Sequence, residues 1–149
     1  MSWDGLMLRL PPDVALADIP RDWTMPAIGT PADVRAWLEQ AFPGQDHADG
    51  QTCVVGDGFW IEFNCGLADE CGQVESIGVR SNAAPGAVAV MKVACEVLEL
   101  RLVDCQTSEI ADFSDQTEAS MAEFTAWRDR IVLTTDEQDA GSCWMGGLD

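Results

Sequence analysis

Residues 56–64, GDGFWIEFN, decide how this chain folds. Asp57-Gly58 is a two-residue turn signal, and the residues after it alternate in character, as a strand leaving a tight hairpin does. In an extended chain successive side chains point to opposite faces. Phe59, Ile61 and Phe63 therefore share one face, a core face, while Trp60 and Glu62 share the other with Asn64. The turn reads as type I′, with positive φ at both Asp57 and Gly58. That register sets Val54 opposite Ile61 on the inner face and Val55 opposite Trp60 on the outer one.

The neighbouring segments extend this sheet. QVESIGVRS (residues 73–81) sends Ile77 and Val79 to the core face and Ser76 and Arg80 outward. The opening LMLRL (6–10) alternates as well, with Leu6, Leu8 and Leu10 on one face and Met7 and Arg9 on the other, and Pro11-Pro12 ends it. RLVDC (101–105) is a further short strand, followed by an irregular QTSEIADF. The GQDHADG segment (44–50) reads as a loop entering the hairpin, and GLADECG (66–72) as a turn leaving it.

Helices fill the gaps. In TPADVRAWLEQAF, Thr30 can cap the free amides, Pro31 suits the first helical position and Asp33 complements the helix dipole. Val34, Trp37, Leu38, Ala41 and Phe42 then form one apolar stripe that places Trp37 in the core, and Pro43-Gly44 stops the helix. A second helix runs from Pro85 to about Leu100. Its charges, Lys92, Glu96 and Glu99, occupy a strip about 60° wide, so nearly all of it is expected to be hidden. SMAEFTAWRDRIV (120–132) carries a Ser120 to Glu123 capping box and a stripe of Met121, Phe124, Trp127 and Ile131.

The resulting order, β-α-β-β-β-α-β-α with a contiguous antiparallel meander, predicts a two-layer α+β sandwich: a mainly antiparallel sheet with helices on one face. Residues 1–134 form a single domain in this reading, and 135–149 a flexible tail that Trp144 could tether. The long connection at 11–30, with four prolines, is of a length that is uncommon inside a compact domain and often functional, but the structural reading, in which Trp23 and Ile28 pin it to the core, is preferred. The second sheet face is left open, with Trp60, Glu62 and Asn64 on it, unless the third helix crosses it and buries Trp60.

With 149 residues, the chain can hide roughly 70% of its unfolded surface, enough for a core without staples. Its charge is lopsided: 26 Asp plus Glu against 8 Lys plus Arg give a formal net of −18, and Lys92 is the sole lysine. Such a surface repels nucleic acids and anionic membranes and attracts basic proteins. No apolar run approaches the roughly 20 residues that span a bilayer, and no basic leader precedes an apolar core. A cytoplasmic protein is expected, with Cys53, Cys65, Cys71, Cys95, Cys105 and Cys143 as free thiols.

The search for chemistry yields no catalytic residue, cofactor site or metal site. His47, the one histidine, lies among acids without a nucleophile nearby and reads as a solvated loop residue. Cys65 and Cys71 are too widely spaced for a common zinc half-site, and Ala48 spoils the calcium-loop pattern in DHADG. No Walker-type run is present, and the aromatics are not interleaved with basic residues. Two acids acting as a catalytic pair would support a rival reading, an enzyme or small-molecule binder, but nothing in the sequence singles out which two.

The succession MSWDGLMLRLPPDV, ADIPRDW, AIGTPADVRAWLEQAFPG, GDGFWIEFNCG and ESIGVRS resembles a group of small bacterial proteins of unassigned function that open Met-Ser-Trp-Asp. The resemblance covers residues 1 to about 110, implies the fold and supplies no catalytic residues; the segment after Phe113 departs from it as an added tail. By analogy of class, small size, acidity and the missing active site also resemble the immunity proteins of bacterial toxin systems, which cover the active site of a basic toxin. The expectation is a non-enzymatic binder of such a basic protein. Trp60 would be the aromatic anchor, and Asp57, Glu62, Asp46, Asp49, Asp69 and Glu70 the surrounding acids, gathered at one end by the hairpin tip and its neighbouring loops.

Overall fold

The computed structural model describes residues 2–66, 72–113 and 121–126. Seven strands, β1 (Trp3–Leu8), β2 (Asp46–Ala48), β3 (Gln51–Gly56), β4 (Phe59–Cys65), β5 (Ile77–Ser81), β6 (Arg101–Asp104) and β7 (Glu109–Ala111), form one sheet in the order β2-β3-β4-β5-β1-β6-β7. Every neighbouring pair is antiparallel. Helices α1 (Pro31–Ala41) and α2 (Pro85–Leu98) pack against each other and against the β2–β4 part of the sheet. The protein is the expected two-layer α+β sandwich. Two segments read as irregular turn out to be edge strands, β2 in the 44–50 loop and β7 within QTSEIADF.

The hairpin register is the expected one, with Val54 opposite Ile61 and Val55 opposite Trp60. The turn differs from type I′. Gly58 has φ of 78°, but Asp57 is not among the described positive-φ residues, so a single glycine supplies the left-handed position. Ile61, Phe63, Ile77 and Val79 are buried on the core face as expected.

In β1 the face of Met7 turns to the core, and the leucine face turns outward within the strand. Trp3 and Met7 are buried inward, whereas Leu6 is exposed. Trp3 lies beyond the leucine pattern and decides the orientation: its ring lies over Gly5, leaving 2.6 Å for any added β-carbon. A bulky inward aromatic next to a glycine fills the space that two medium side chains would share.

Helix α1 begins as its sequence dictates. Thr30 Oγ1 accepts from the Asp33 amide (3.0 Å) and Asp33 Oδ2 from the Thr30 amide (3.1 Å), a complete capping box. Val34 and Leu38 are buried, but Trp37 is 36% exposed and not core. It lies at the end of the stripe, where its ring covers the backbone of Gly29. Helix α2 is likewise less hidden than its composition implies. Ala87, Met91, Ala94, Cys95 and Leu98 face inward, whereas Val93 and Val97 are exposed. A helix lying on one side of a single sheet has only one face to bury.

Residues 121–126 are helical, with Met121 fully buried in the main core and Phe124 packed against it. This segment therefore joins the helical side, and Thr125 Oγ1 donates to the Ala83 carbonyl (3.3 Å). Trp127, Ile131, Trp144 and the expected tail lie outside the described residues.

One contact clasps the helical layer to the hairpin. The Phe59 ring lies against both Gly56 and Gly86, so closely that a β-carbon at either glycine would overlap it. Alanine in place of glycine within a helix normally gains about 1 kcal/mol. Here Gly86→Ala is expected to lower stability by about 1–3 kcal/mol through overpacking, measured by urea denaturation.

Candidate functional site

Trp60, expected from the sequence to be the anchor, lies on the outer face of β2–β4. Val55 is 41% exposed beside half-buried Trp60, its register partner. The backbone beneath is held from both sides. Ser81 Oγ donates to the Trp60 carbonyl (2.9 Å), Asn82 Oδ1 accepts from the Trp60 amide (3.4 Å), and Asn82 Nδ2 donates to the Gly58 carbonyl (3.1 Å). Gln45 Oε1 accepts from the Val55 amide (3.1 Å). An apolar pair on so restrained a hairpin loses little freedom when a partner covers it.

The expected acids do not collect at one end. Asp57 is exposed at the hairpin tip, and Asp46 is exposed on the outer face opposite Cys53. Asp49 lies in the β2–β3 turn, at the other end of the six-residue strand β3, roughly 20 Å of extended chain from Asp57. It pairs there with Arg35 of α1 (3.2 Å). Asp69 and Glu70 lie outside the described residues.

Glu62 shares the outer face but is only 6% exposed. Its Oε2 accepts from Gln51 Nε2 (2.9 Å) and its Oε1 from Asn64 Nδ2 (3.0 Å), with Arg80 opposite it on β5. Burial of a charged group demands such partners, so Glu62 organises the sheet surface and is not a free docking acid. Glu62→Ala is expected to cost about 1–3 kcal/mol, seen as a lowered urea midpoint, because two amide donors lose their acceptor.

His47 is not a solvated loop residue. It belongs to β2, with Nε2 2.8 Å from the Phe42 carbonyl and Nδ1 3.0 Å from Thr52 Oγ1. A carbonyl only accepts, so Nε2 carries the proton and Nδ1 faces the hydroxyl, and the ring ties the end of α1 to the sheet.

The cysteines depart from the expectation of six free thiols. Cys53 is disulfide-bonded, its other half outside the described residues. Cys65, Cys95 and Cys105 are free. Burial pushes the Cys95 thiol up to about 12, with the Glu96 carboxylate adding to the effect. Burial also raises Cys65, and it raises Cys105 together with Asp4 and Asp104. A raised thiol is a poor nucleophile at neutral pH. At pH 8 a disulfide exchange reagent is expected to modify exposed Cys105 more slowly than a free cysteine, because its thiol is raised, and Cys95 only in denaturant, as mass spectrometry of the labelled protein would show.

A second feature escaped sequence reading. A cleft of about 610 Å³ opens between residues 13–17 and the β6–β7 hairpin, lined by Arg101, Asp104 and residues 107–112. Two signals pointed towards it: the proline-rich connection at 11–30 and the acids of 104–112. Asp104 Oδ1 accepts from the Gln106 and Thr107 amides (2.8 and 3.4 Å) and shapes the turn. Arg101 Nη1 donates to the Pro11 and Val14 carbonyls and pins the facing loop.

Among the described residues, no group of three or more His, Cys, Asp or Glu side chains could hold a metal ion, and no helix is long and apolar enough to cross a membrane. Comparison of the chain with protein-family models, curated proteins and solved structures finds no match. The resemblance carried by the opening motif and the class analogy with immunity proteins therefore rest on the sequence alone.

Proposed function

We propose that this chain is a non-enzymatic acidic binding protein that neutralises a basic protein, in the manner of an immunity protein covering the active-site region of a cognate bacterial toxin. The observation that carries this reading is exposed Val55 beside half-buried Trp60 on the outer face of a restrained hairpin, flanked by exposed Asp46 and Asp57, in a chain of net charge −18. Excess negative charge steers a cationic partner into encounter, and a rigid aromatic anchor supplies desolvated contact.

A cytoplasmic location accompanies this reading, since a protector must stand beside the targets that the toxin attacks. The Cys53 disulfide weighs against it, because such bonds are uncommon in a reducing cytosol.

A small-molecule binder or enzyme is the second reading. One observation favours it: Asp104 and Glu109 are register partners across β6 and β7, and both line the cleft. The commitment of Asp104 Oδ1 to two turn amides argues for a structural role instead.

The tagged protein, recovered from its native cells at low salt, is expected to bring down one basic protein in stoichiometric amount. Expressed alone, that protein should be toxic, and co-expression should relieve the toxicity. Trp60→Ala is expected to weaken the purified complex by at least about 2 kcal/mol, roughly thirtyfold in Kd, with further loss as salt rises. Unchanged affinity would dismiss this surface as the site, and the absence of any discrete complex would dismiss the function.

A further inference from the structure

We propose that Asp57, at the tip of the β3–β4 hairpin, is a site of spontaneous isoaspartate formation, a covalent modification that the fold admits there and holds back at the other Asp-Gly pairs of the chain. The pairs are Asp4-Gly5, Asp49-Gly50 and Asp57-Gly58. In each, the glycine amide nitrogen can attack the protonated carboxyl of the aspartate before it. A bond forms from that nitrogen to Cγ, the carbon–hydroxyl bond breaks, and the hydroxyl leaves with the amide hydrogen as water. Water then opens the resulting succinimide ring. When it adds at the main-chain carbonyl, the peptide link stays on Cγ, the α-carboxylate is freed, and the main chain has gained one carbon. Water is the only co-reactant, and the charge at the residue is unchanged.

Three requirements decide where the atoms can meet: a carboxyl with no partner, a following peptide group that can turn, and room for the ring. Asp57 meets all three. It is exposed, and neither its carboxylate nor the peptide group joining it to Gly58 makes a hydrogen bond or ion pair among the described residues. Nothing lies within 4 Å of the position that a β-carbon of Gly58 would take, so a ring closing over the turn meets no neighbour. Asp49-Gly50 has an equally open turn, but there the carboxylate is held by Arg35 (3.2 Å). Asp4-Gly5 fails on every count. Arg80 Nε lies 3.8 Å from Asp4 Oδ1, Gly5 is paired to Val79 on one side and Asp104 on the other, and the Trp3 ring fills the space over Gly5. A glycine amide locked between two strands has no freedom to turn towards the carboxyl.

The added carbon falls where the fold tolerates it least. Gly56 pairs with Phe59 across a loop of two residues, and the Phe59 ring lies against both Gly56 and Gly86. A longer main chain between them no longer matches a two-residue turn, so the end of the ladder beside Trp60 is disturbed. This inference does not rest on the reading of a basic protein partner. Both the modification and its effect are measured on the isolated protein.

The test ages the full-length protein for weeks at physiological temperature in mildly acidic buffer. Peptide mapping with electron-transfer fragmentation locates isoaspartate, and methylation by a protein L-isoaspartate O-methyltransferase with labelled S-adenosylmethionine counts it. Asp57 should accumulate it first, Asp49 about two- to fivefold more slowly, as an exposed ion pair of ordinary strength would impose, and Asp4 not measurably. Arg35→Gln should bring Asp49 up to the Asp57 rate. Asp57→Glu, which keeps the charge but needs a larger ring, should remove most of the methylation. In urea the three sites should converge, and the modified protein, once separated, should unfold at a lower urea midpoint than the parent. Asp49 or Asp4 reacting as fast as Asp57 in the folded protein, an unchanged Asp49 rate in Arg35→Gln, or persistence of the folded-state order in urea would each overturn the proposal, and an unshifted midpoint would overturn its effect on the hairpin.

Discussion

The ladder between β3 and β4, running from Gly56 opposite Phe59 to Gln51 opposite Asn64, is the constraint on which the rest of the molecule depends. A slip of one residue would carry Trp60 and Glu62 into the core and put Ile61 and Phe63 in water. With the register in place, β5 continues the same alternation, placing Val79 beside Phe63 and Arg80 beside Glu62. The inner row then meets the helices. Phe63 stacks on Phe42 at the end of α1 (6.4 Å between ring centres), and Phe59 reaches the first turn of α2 through the space left by two glycines. Burial on one side and the outward placement of Val55 and Trp60 on the other thus follow from a single pairing.

Much of this was legible because local signals and the global fold agree. The Thr30 capping box, the Pro31 start and the meander from Gln51 to Ser81 follow from turn chemistry and from a period of two. Where sequence reading failed, the deciding neighbour lay far along the chain. The alternation of residues 6–10 left open which face of β1 is inner, and Trp3, outside that stretch, decides it. Strands β2 and β7 have three residues each, too short for any period to show, and only pairing makes them strands. Trp37 and Val97 belong to apolar stripes that outreach the single sheet they lie on.

The candidate site shows the same division. Alternation alone put Trp60 on the outer face beside Val55. It could not show that Glu62 is enclosed by Gln51 and Asn64, or that Asp49 is held by Arg35 at the far end of the strand, because side-chain partners are set by the fold and not by spacing. Proximity in sequence grouped these acids, and the sheet separates them. The acids of the β6–β7 cleft were hidden for a related reason, since residues 13–17 meet β7 only after the sheet has closed.

Strand β1 is the earliest in the chain, yet it lies between β5 and β6, with Trp3 paired to Ser81 and Leu8 to Arg101. The β5 flank waits for residues 77–81 and the β6 flank for residues 101–104, so one edge of this strand stays open well after the other can pair. Long-range pairings of this kind demand loop closure before any reward and make assembly slow. The amino-terminal segment is therefore the piece of the nascent chain most in need of shielding, and its insertion is the step at which β2–β5 and β6–β7 become a single sheet.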